Sequence, residues 1–328
     1  MKEIIAKFPE QVREAISIAE SIDFKNINKK FENILVCGLG GSGIGGKIIG
    51  QLFADELKIP FLTDNDYTIP EFVSDKTLVI ASSYSGNTEE TISAVNESRA
   101  RGAEIAVITS GGSLKKMAEQ NRWSLAVIPG GEQPRAMLVY SLIQQVAFLT
   151  RYGLIGSAFM EKLKAIPSFI EGQEDQIIRD ARQLAEKIEN FIPVIYAGTS
   201  FEGVAIRFRQ QLNENSKVLC WHHILPELTH NELVGWAGGD ERFALIYLNS
   251  SLNHPRTQKR WEICREIIGK KTHNINEIKA MGGALMDQIF YLIHFTDWVS
   301  LFLAEKRGVD PIEVNVIGYL KDEMAKMR

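Results

Sequence analysis

Two short apolar runs, each followed at once by a loop of glycines and hydroxyls, constrain this chain more than anything else in it. Ile34-Leu35-Val36 leads into Cys37-Gly38-Leu39-Gly40-Gly41-Ser42-Gly43-Ile44-Gly45-Gly46. Leu78-Val79-Ile80-Ala81 leads into Ser82-Ser83-Tyr84-Ser85-Gly86-Asn87-Thr88. A strand, a turn whose glycines let the backbone close on a ligand, and a following helix N-terminus together make an anion site. Two such units describe one pocket at the carboxyl ends of neighbouring parallel strands. Gly41, Ser42, Ser83, Ser85 and Thr88 would supply its N–H groups and hydroxyls, which suits a phosphate monoester.

The runs recur with the spacing of an α/β chain. Strands are expected over 34–37, 60–63, 77–81, 104–109 and 124–128, with helices over 8–21, 45–53 and from Thr88 onward. Strands alternating with helices of about ten to fifteen residues imply βαβ units and a parallel sheet. The alternation then restarts: 193–200 resembles the first strand and its turn, and 243–251 the third strand and its serine loop, offset by roughly 160 residues. The reading is two doubly wound, flavodoxin-like lobes in tandem with flanking helices. The first lobe spans 1–155, a helical connector 156–190, and the second lobe 191–328. Only the first copy keeps both phosphate loops.

Charge and cysteine usage exclude several classes. A net charge of −4 gives no electrostatic basis for nucleic-acid binding. Cys37, Cys220 and Cys264 are odd in number and far apart, so they read as free thiols of a reducing compartment. The first residues lack a signal-peptide core, and no apolar stretch has the length of a membrane span. A cytoplasmic protein is expected. No histidine pair has metal-ligand spacing with a carboxylate, and no Gly-x-Ser-x-Gly elbow is present, so neither a metal site nor a hydrolase is indicated.

Gly38-x-Gly40-x-x-Gly43 also satisfies the dinucleotide fingerprint, with Asp64 after the second strand as a ribose partner. That reading leaves the hydroxyls of the second loop unused. Ser85 or Asn87 could instead be a helix cap with Thr88 starting the helix, but the loop carries more hydroxyls than a cap needs.

The chain resembles the sugar isomerase (SIS) domain family and, more narrowly, the bifunctional phosphoglucose/phosphomannose isomerases. The resemblance runs over essentially the whole length. It rests on Gly40-Gly41-Ser42-Gly43, Ser83-Tyr84-Ser85-Gly86-Asn87-Thr88, Pro134-Arg135-Ala136, Asn213-Glu214-Asn215, Thr229-His230-Asn231-Glu232 and the tail from Asp310-Pro311 to Leu320-Lys321. It implies aldose–ketose isomerisation of a sugar 6-phosphate with no organic cofactor. Glu214 would be the base between C1 and C2, where its residues alone read as a polar helix end. His230 would open the sugar ring, placed in a first helical turn by a Thr229/Glu232 capping box. Arg135 would face the enediolate, the alternative being a surface pair with Glu132. Lys321 would close over the substrate from the tail. Residues 311–316 contain no Thr, where resembling mannose-active members carry one, so glucose 6-phosphate is the firmer substrate. In the resembling isomerases the segment bearing His230 reaches the pocket of a two-fold mate. The apolar helix 285–303 has large side chains around its whole circumference, which fits a dimer interface or a central buried helix. A SIS module that binds a sugar phosphate without turnover, or a dehydrogenase, are the competing functions.

Overall fold

The computed structural model describes residues 1–24 and 29–326. Its first sheet contains β1 (Asn33–Cys37), β2 (Phe61–Asp64), β3 (Thr77–Ser82), β4 (Glu104–Thr109) and β5 (Ser124–Val127). The second contains β6 (Ile192–Gly198), β7 (Trp221–Leu225), β8 (Phe243–Asn249) and β9 (Ile275–Lys279). The strand orders are β2-β1-β3-β4-β5 and β7-β6-β8-β9, and the pairings are parallel. Every residue of β3 and β4 is buried, as expected for strands covered on both faces. The second sheet repeats the order of the first and stops one strand short, which is the architecture expected of a doubled lobe.

In each sheet the first strand has its second on one side and its third on the other. The connections therefore part at the carboxyl ends of β1 and β3, the place where open α/β sheets leave a crevice for ligands. Both glycine–hydroxyl loops sit there.

Between the lobes run the helices Ala158–Leu163, Ile166–Glu171 and Glu174–Ile188. The helix Leu285–Arg307 is buried from Met286 almost without a break to Ala304, held between Glu174–Ile188 and Glu202–Ser216. Trp298 stacks on Phe302 with ring centroids 5.3 Å apart. A single chain thus accounts for the apolar circumference of this helix, and its composition carries no information about a partner. His294, on the same helix, stacks on Phe8 at 4.8 Å.

One contact between lobes sets up the site. The helices Gly40–Leu52 and Glu202–Ser216 cross in opposite directions. The Gly203 N–H donates to Gln51 Oε1 at 2.8 Å, Gln51 Nε2 to the Thr199 carbonyl at 2.7 Å, and Lys47 pairs with Glu202 at 2.9 Å. A Cβ at Gly203 would lie 2.7 Å from Ile48, so the crossing requires glycine there. The last turn of Glu202–Ser216 is thereby carried to the first turn of Gly40–Leu52.

Candidate active site

The two loops lock together. A Cβ at Gly38 would lie 2.6 Å from the Ser82 carbonyl, so the loop after β1 can approach the end of β3 only through glycine. Ser42 Oγ accepts from the Tyr84 N–H at 3.1 Å. Ser83 Oγ and Thr88 Oγ1 lie 2.8 Å apart, and Ser83 Oγ also accepts from the Gly86 N–H at 3.2 Å. Ser85 Oγ accepts from the Asn87 N–H at 3.2 Å.

Two expectations change here. The helix after β1 begins at Gly40, not Gly45, so the glycine run is its first turn and the amides of Gly41 and Ser42 belong to the helix N-terminus. Thr88 occupies the N-cap of Glu89–Ala100 but makes no side-chain cap bond. Asn87 Oδ1 is taken by the Ser113 N–H and hydroxyl, at 2.9 and 3.0 Å. The hydroxyls of this loop are therefore not engaged in capping its helix.

Gly41 backs onto the turn Pro134–Ala136, where a Cβ would lie 3.5 Å from Arg135 Cα. Arg135 is 5% exposed. Its Nη1 reaches Glu214 Oε2 at 3.3 Å and Gln133 Oε1 at 3.1 Å, and its Nε donates to Asn215 Oδ1 at 2.6 Å. Its Nη2 donates to the carbonyls of Pro311 and Ile312. Burial draws its pKa below the ordinary value, opposed by the charges of Glu214 and Asp310. A surface pair with Glu132 is ruled out by this placement: Glu132 lends only its N–H to the Tyr84 hydroxyl, at 3.0 Å.

Beneath this pair lies a second one. Arg207 is bonded to both carboxylate oxygens of Asp297 and donates from Nη2 to the Arg135 carbonyl at 2.9 Å. Gln211 Nε2 adds a bond to Asp297 at 2.8 Å, and Asn215 Nδ2 one to Ser300 at 2.9 Å. Sequence reasoning passed over these residues. Their signal was present: Arg207, Gln211 and Asn215 recur every four residues on one helical face, and Asp297 is the one carboxylate in the apolar middle of its helix, between Asp287 and Glu305.

Glu214, Arg135, Gly41 and the loop hydroxyls are thus brought together, whereas His230 and Lys321 are not. Glu214 lies at the end of the helix that leads toward the amino end of β7, and His230 follows the carboxyl end of that strand. His230 is exposed and closes the 3₁₀ turn Glu227–His230. The capping box is corrected. Asn231 is the N-cap, accepting from the Glu232 N–H at 2.6 Å, while Thr229 donates to the Pro226 carbonyl at 2.6 Å. The Glu232 carboxylate instead takes the Tyr196 hydroxyl and the Trp221 indole N–H. Lys321 rides on the exposed helix Asn315–Met324 and makes no ion pair among the described residues.

In the second lobe the groups at the equivalent positions are engaged with one another, although a cavity lined by Ser250, Ser251, Asn253 and Lys279 opens beside them. A Cβ at Gly198 would collide with the Asn253 side chain, which donates to the Tyr247 hydroxyl at 3.0 Å. Ser250 Oγ is committed to Gln288 Oε1 at 2.6 Å. Among the described residues no group of three or more His, Cys, Asp or Glu could hold a metal ion, and no helix is long and apolar enough to cross a membrane.

Fold and site together define an α/β protein of two SIS-type lobes. Residues 27–152 match the SIS domain family, and 177–324 the bacterial phospho-glucose isomerase C-terminal SIS domain. The bifunctional phosphoglucose/phosphomannose isomerase of Caldicellulosiruptor bescii is 36% identical over 339 residues, covering 100% of both chains. That of Thermoplasma volcanium is 36% identical over 318 residues, covering 95% of this chain and 98% of its own. The chain belongs to the bifunctional phosphoglucose/phosphomannose isomerase family. The fold is also similar to the C-terminal domain of glucosamine-fructose-6-phosphate aminotransferase from Francisella tularensis, with a TM-score of 0.74 at 17% identity, covering 95% and 98% of the two chains.

Proposed function

We propose that this protein interconverts glucose 6-phosphate and fructose 6-phosphate, with mannose 6-phosphate as a second substrate, through an enediolate. The observation that carries the reading is the meeting of Glu214 and Arg135 at 3.3 Å beside the helix start that bears Gly41 and Ser42. The substrate phosphate would take the amides of Gly41 and Ser42 and the hydroxyls of Ser42, Ser83, Ser85 and Thr88. In the opened aldose, the Glu214 carboxylate removes the proton from C2. The C2–H electron pair forms the C1–C2 double bond, and the carbonyl oxygen at C1 takes up negative charge beside Arg135. Return of the proton to C1, with proton exchange between the two oxygens, gives the ketose. The Glu214 side chain is 31% exposed, open enough to reach a substrate.

Ring opening falls to His230 of the partner subunit in this reading, because within one chain β7 lies between His230 and Glu214. Lys321 closes over the same end of the sugar when the tail helix folds onto the pocket. The reading includes a two-fold homodimer that shares its sites and works in the cytoplasm. A coupled assay on glucose 6-phosphate and mannose 6-phosphate, together with solvent deuterium incorporation at C2, tests the proposal. Tight binding of fructose 6-phosphate without turnover or exchange would make the protein a sugar-phosphate sensor instead.

A further inference from the structure

Lys217 follows directly on the helix that carries Glu214, and its backbone is left-handed, with φ 55°. Glycine or asparagine usually fills that position after a helix. A residue held in a sparsely populated conformation calls for a reason beyond local propensity. The side chain supplies one. Its ammonium has three hydrogens and commits them to three main-chain carbonyls: Glu214 at 2.6 Å, Asp310 at 2.8 Å and Glu313 at 2.7 Å. An ordinary lysine cap would satisfy the end of its own helix. Here two of the three bonds leave the helix for the segment joining Leu285–Arg307 to Asn315–Met324.

The same segment is held by Arg135, through the carbonyls of Pro311 and Ile312. Four consecutive carbonyls, 310 to 313, are therefore gripped by two cations, Lys217 on the outer pair and Arg135 on the inner pair. Both cations also hold Glu214, one by its main chain and the other by its carboxylate.

We infer that Lys217 is a positioning residue for the reaction proposed above: it clamps the 310–313 strap onto the end of the Glu214 helix and so keeps carboxylate and guanidinium in one register. The inference rests on Glu214 being the proton carrier. It also makes Lys217 the fixed point from which the tail helix bearing Lys321 extends.

Three variants test it. Lys217→Met removes the donors and keeps the stem, Lys217→Arg keeps charge and donors, and Lys217→Gly removes the clamp while restoring the residue the backbone prefers. Each is measured for kcat and KM on glucose 6-phosphate, for Tm, and for amide hydrogen exchange over residues 309–324. Met and Gly should lower kcat by about 10²-fold, the scale of a small misplacement of reacting groups, with KM within about threefold. Exchange in the strap should quicken by about tenfold or more in both variants, and Arg should recover part of each loss. The Gly variant should keep a Tm at or above that of the unmodified protein, which separates clamping from folding even if Met fails to fold. A Gly variant with normal kcat and normal strap exchange would reduce Lys217 to a helix cap. Faster exchange with unchanged kcat would remove its link to the chemistry. Absence of isomerase turnover in the unmodified protein would overturn the proposed reaction, leaving the clamp to be judged by exchange alone.

Discussion

Arg135 and Glu214, 79 residues apart in sequence, meet at 3.3 Å, one from each lobe. The first lobe brings a guanidinium beside its glycine–hydroxyl loops, and the second brings a carboxylate on the last turn of a crossing helix. If that carboxylate carries the proton, Glu214→Gln should lower kcat at least about 10²-fold while leaving sugar-phosphate affinity nearly unchanged. Turnover, deuterium entry at C2 and the dissociation constant of 5-phosphoarabinonate measure this. Near-normal turnover would place the base elsewhere.

The loop hydroxyls should act on binding. Replacing Ser42 and Thr88 together by Ala is expected to cost about 1–3 kcal/mol per lost bond to a charged phosphate, seen as a higher KM for the substrate and weaker binding of 5-phosphoarabinonate. Should both constants stay at their unmodified values, the pocket holds something other than the phosphate.

Arg207 and Asp297 are each about 5% exposed, so breaking their pair leaves a buried charge without its partner. Asp297→Leu should lower the unfolding free energy by about 3–5 kcal/mol, and adding Arg207→Met should recover much of the loss. Urea denaturation of both single variants and the double gives the coupling. A loss below about 1 kcal/mol in Asp297→Leu would mean that water or relaxation replaces the pair.

A shared site has a signature that no single-chain site can give. Glu214→Gln and His230→Ala subunits should each be inactive alone. Mixed under conditions of subunit exchange, each hybrid dimer would hold one intact site of its two, by symmetry. Hybrids verified by native mass spectrometry yet devoid of recovered activity would assign both residues to one chain.

Much of this architecture is legible in the sequence because parallel strands buried on both faces leave continuous apolar runs. The run over 104–109 corresponds residue for residue to β4. The start of Gly40–Leu52 was obscured because a first turn made of glycine has low intrinsic helix propensity; the loop contacts and the crossing at Gly203 stabilise what propensity does not. Thr229 and Asn231 both have the chemistry of a cap, and what separates them is a hydrogen bond to Pro226 that no spacing rule contains. Glu214 and Arg135 are marked by the family resemblance and not by their spacing. The groups beneath them, Arg207 and Asp297, are 90 residues apart; the four-residue spacing of Arg207, Gln211 and Asn215 marks a polar face, but nothing in it names the helix that face meets. Composition likewise could not tell whether Leu285–Arg307 is covered by its own chain or by another.

A duplicated gene ordinarily supplies a spare, one copy free to change while the other goes on working. The crossing of Gly40–Leu52 with Glu202–Ser216 removes that freedom. The glycine–hydroxyl loops stand in one lobe and the proposed proton carrier in the other, and Asn253 fills the notch at Gly198. For the proposed reaction neither half is a backup for the other, because damage to either lobe is damage to the one centre that both would build.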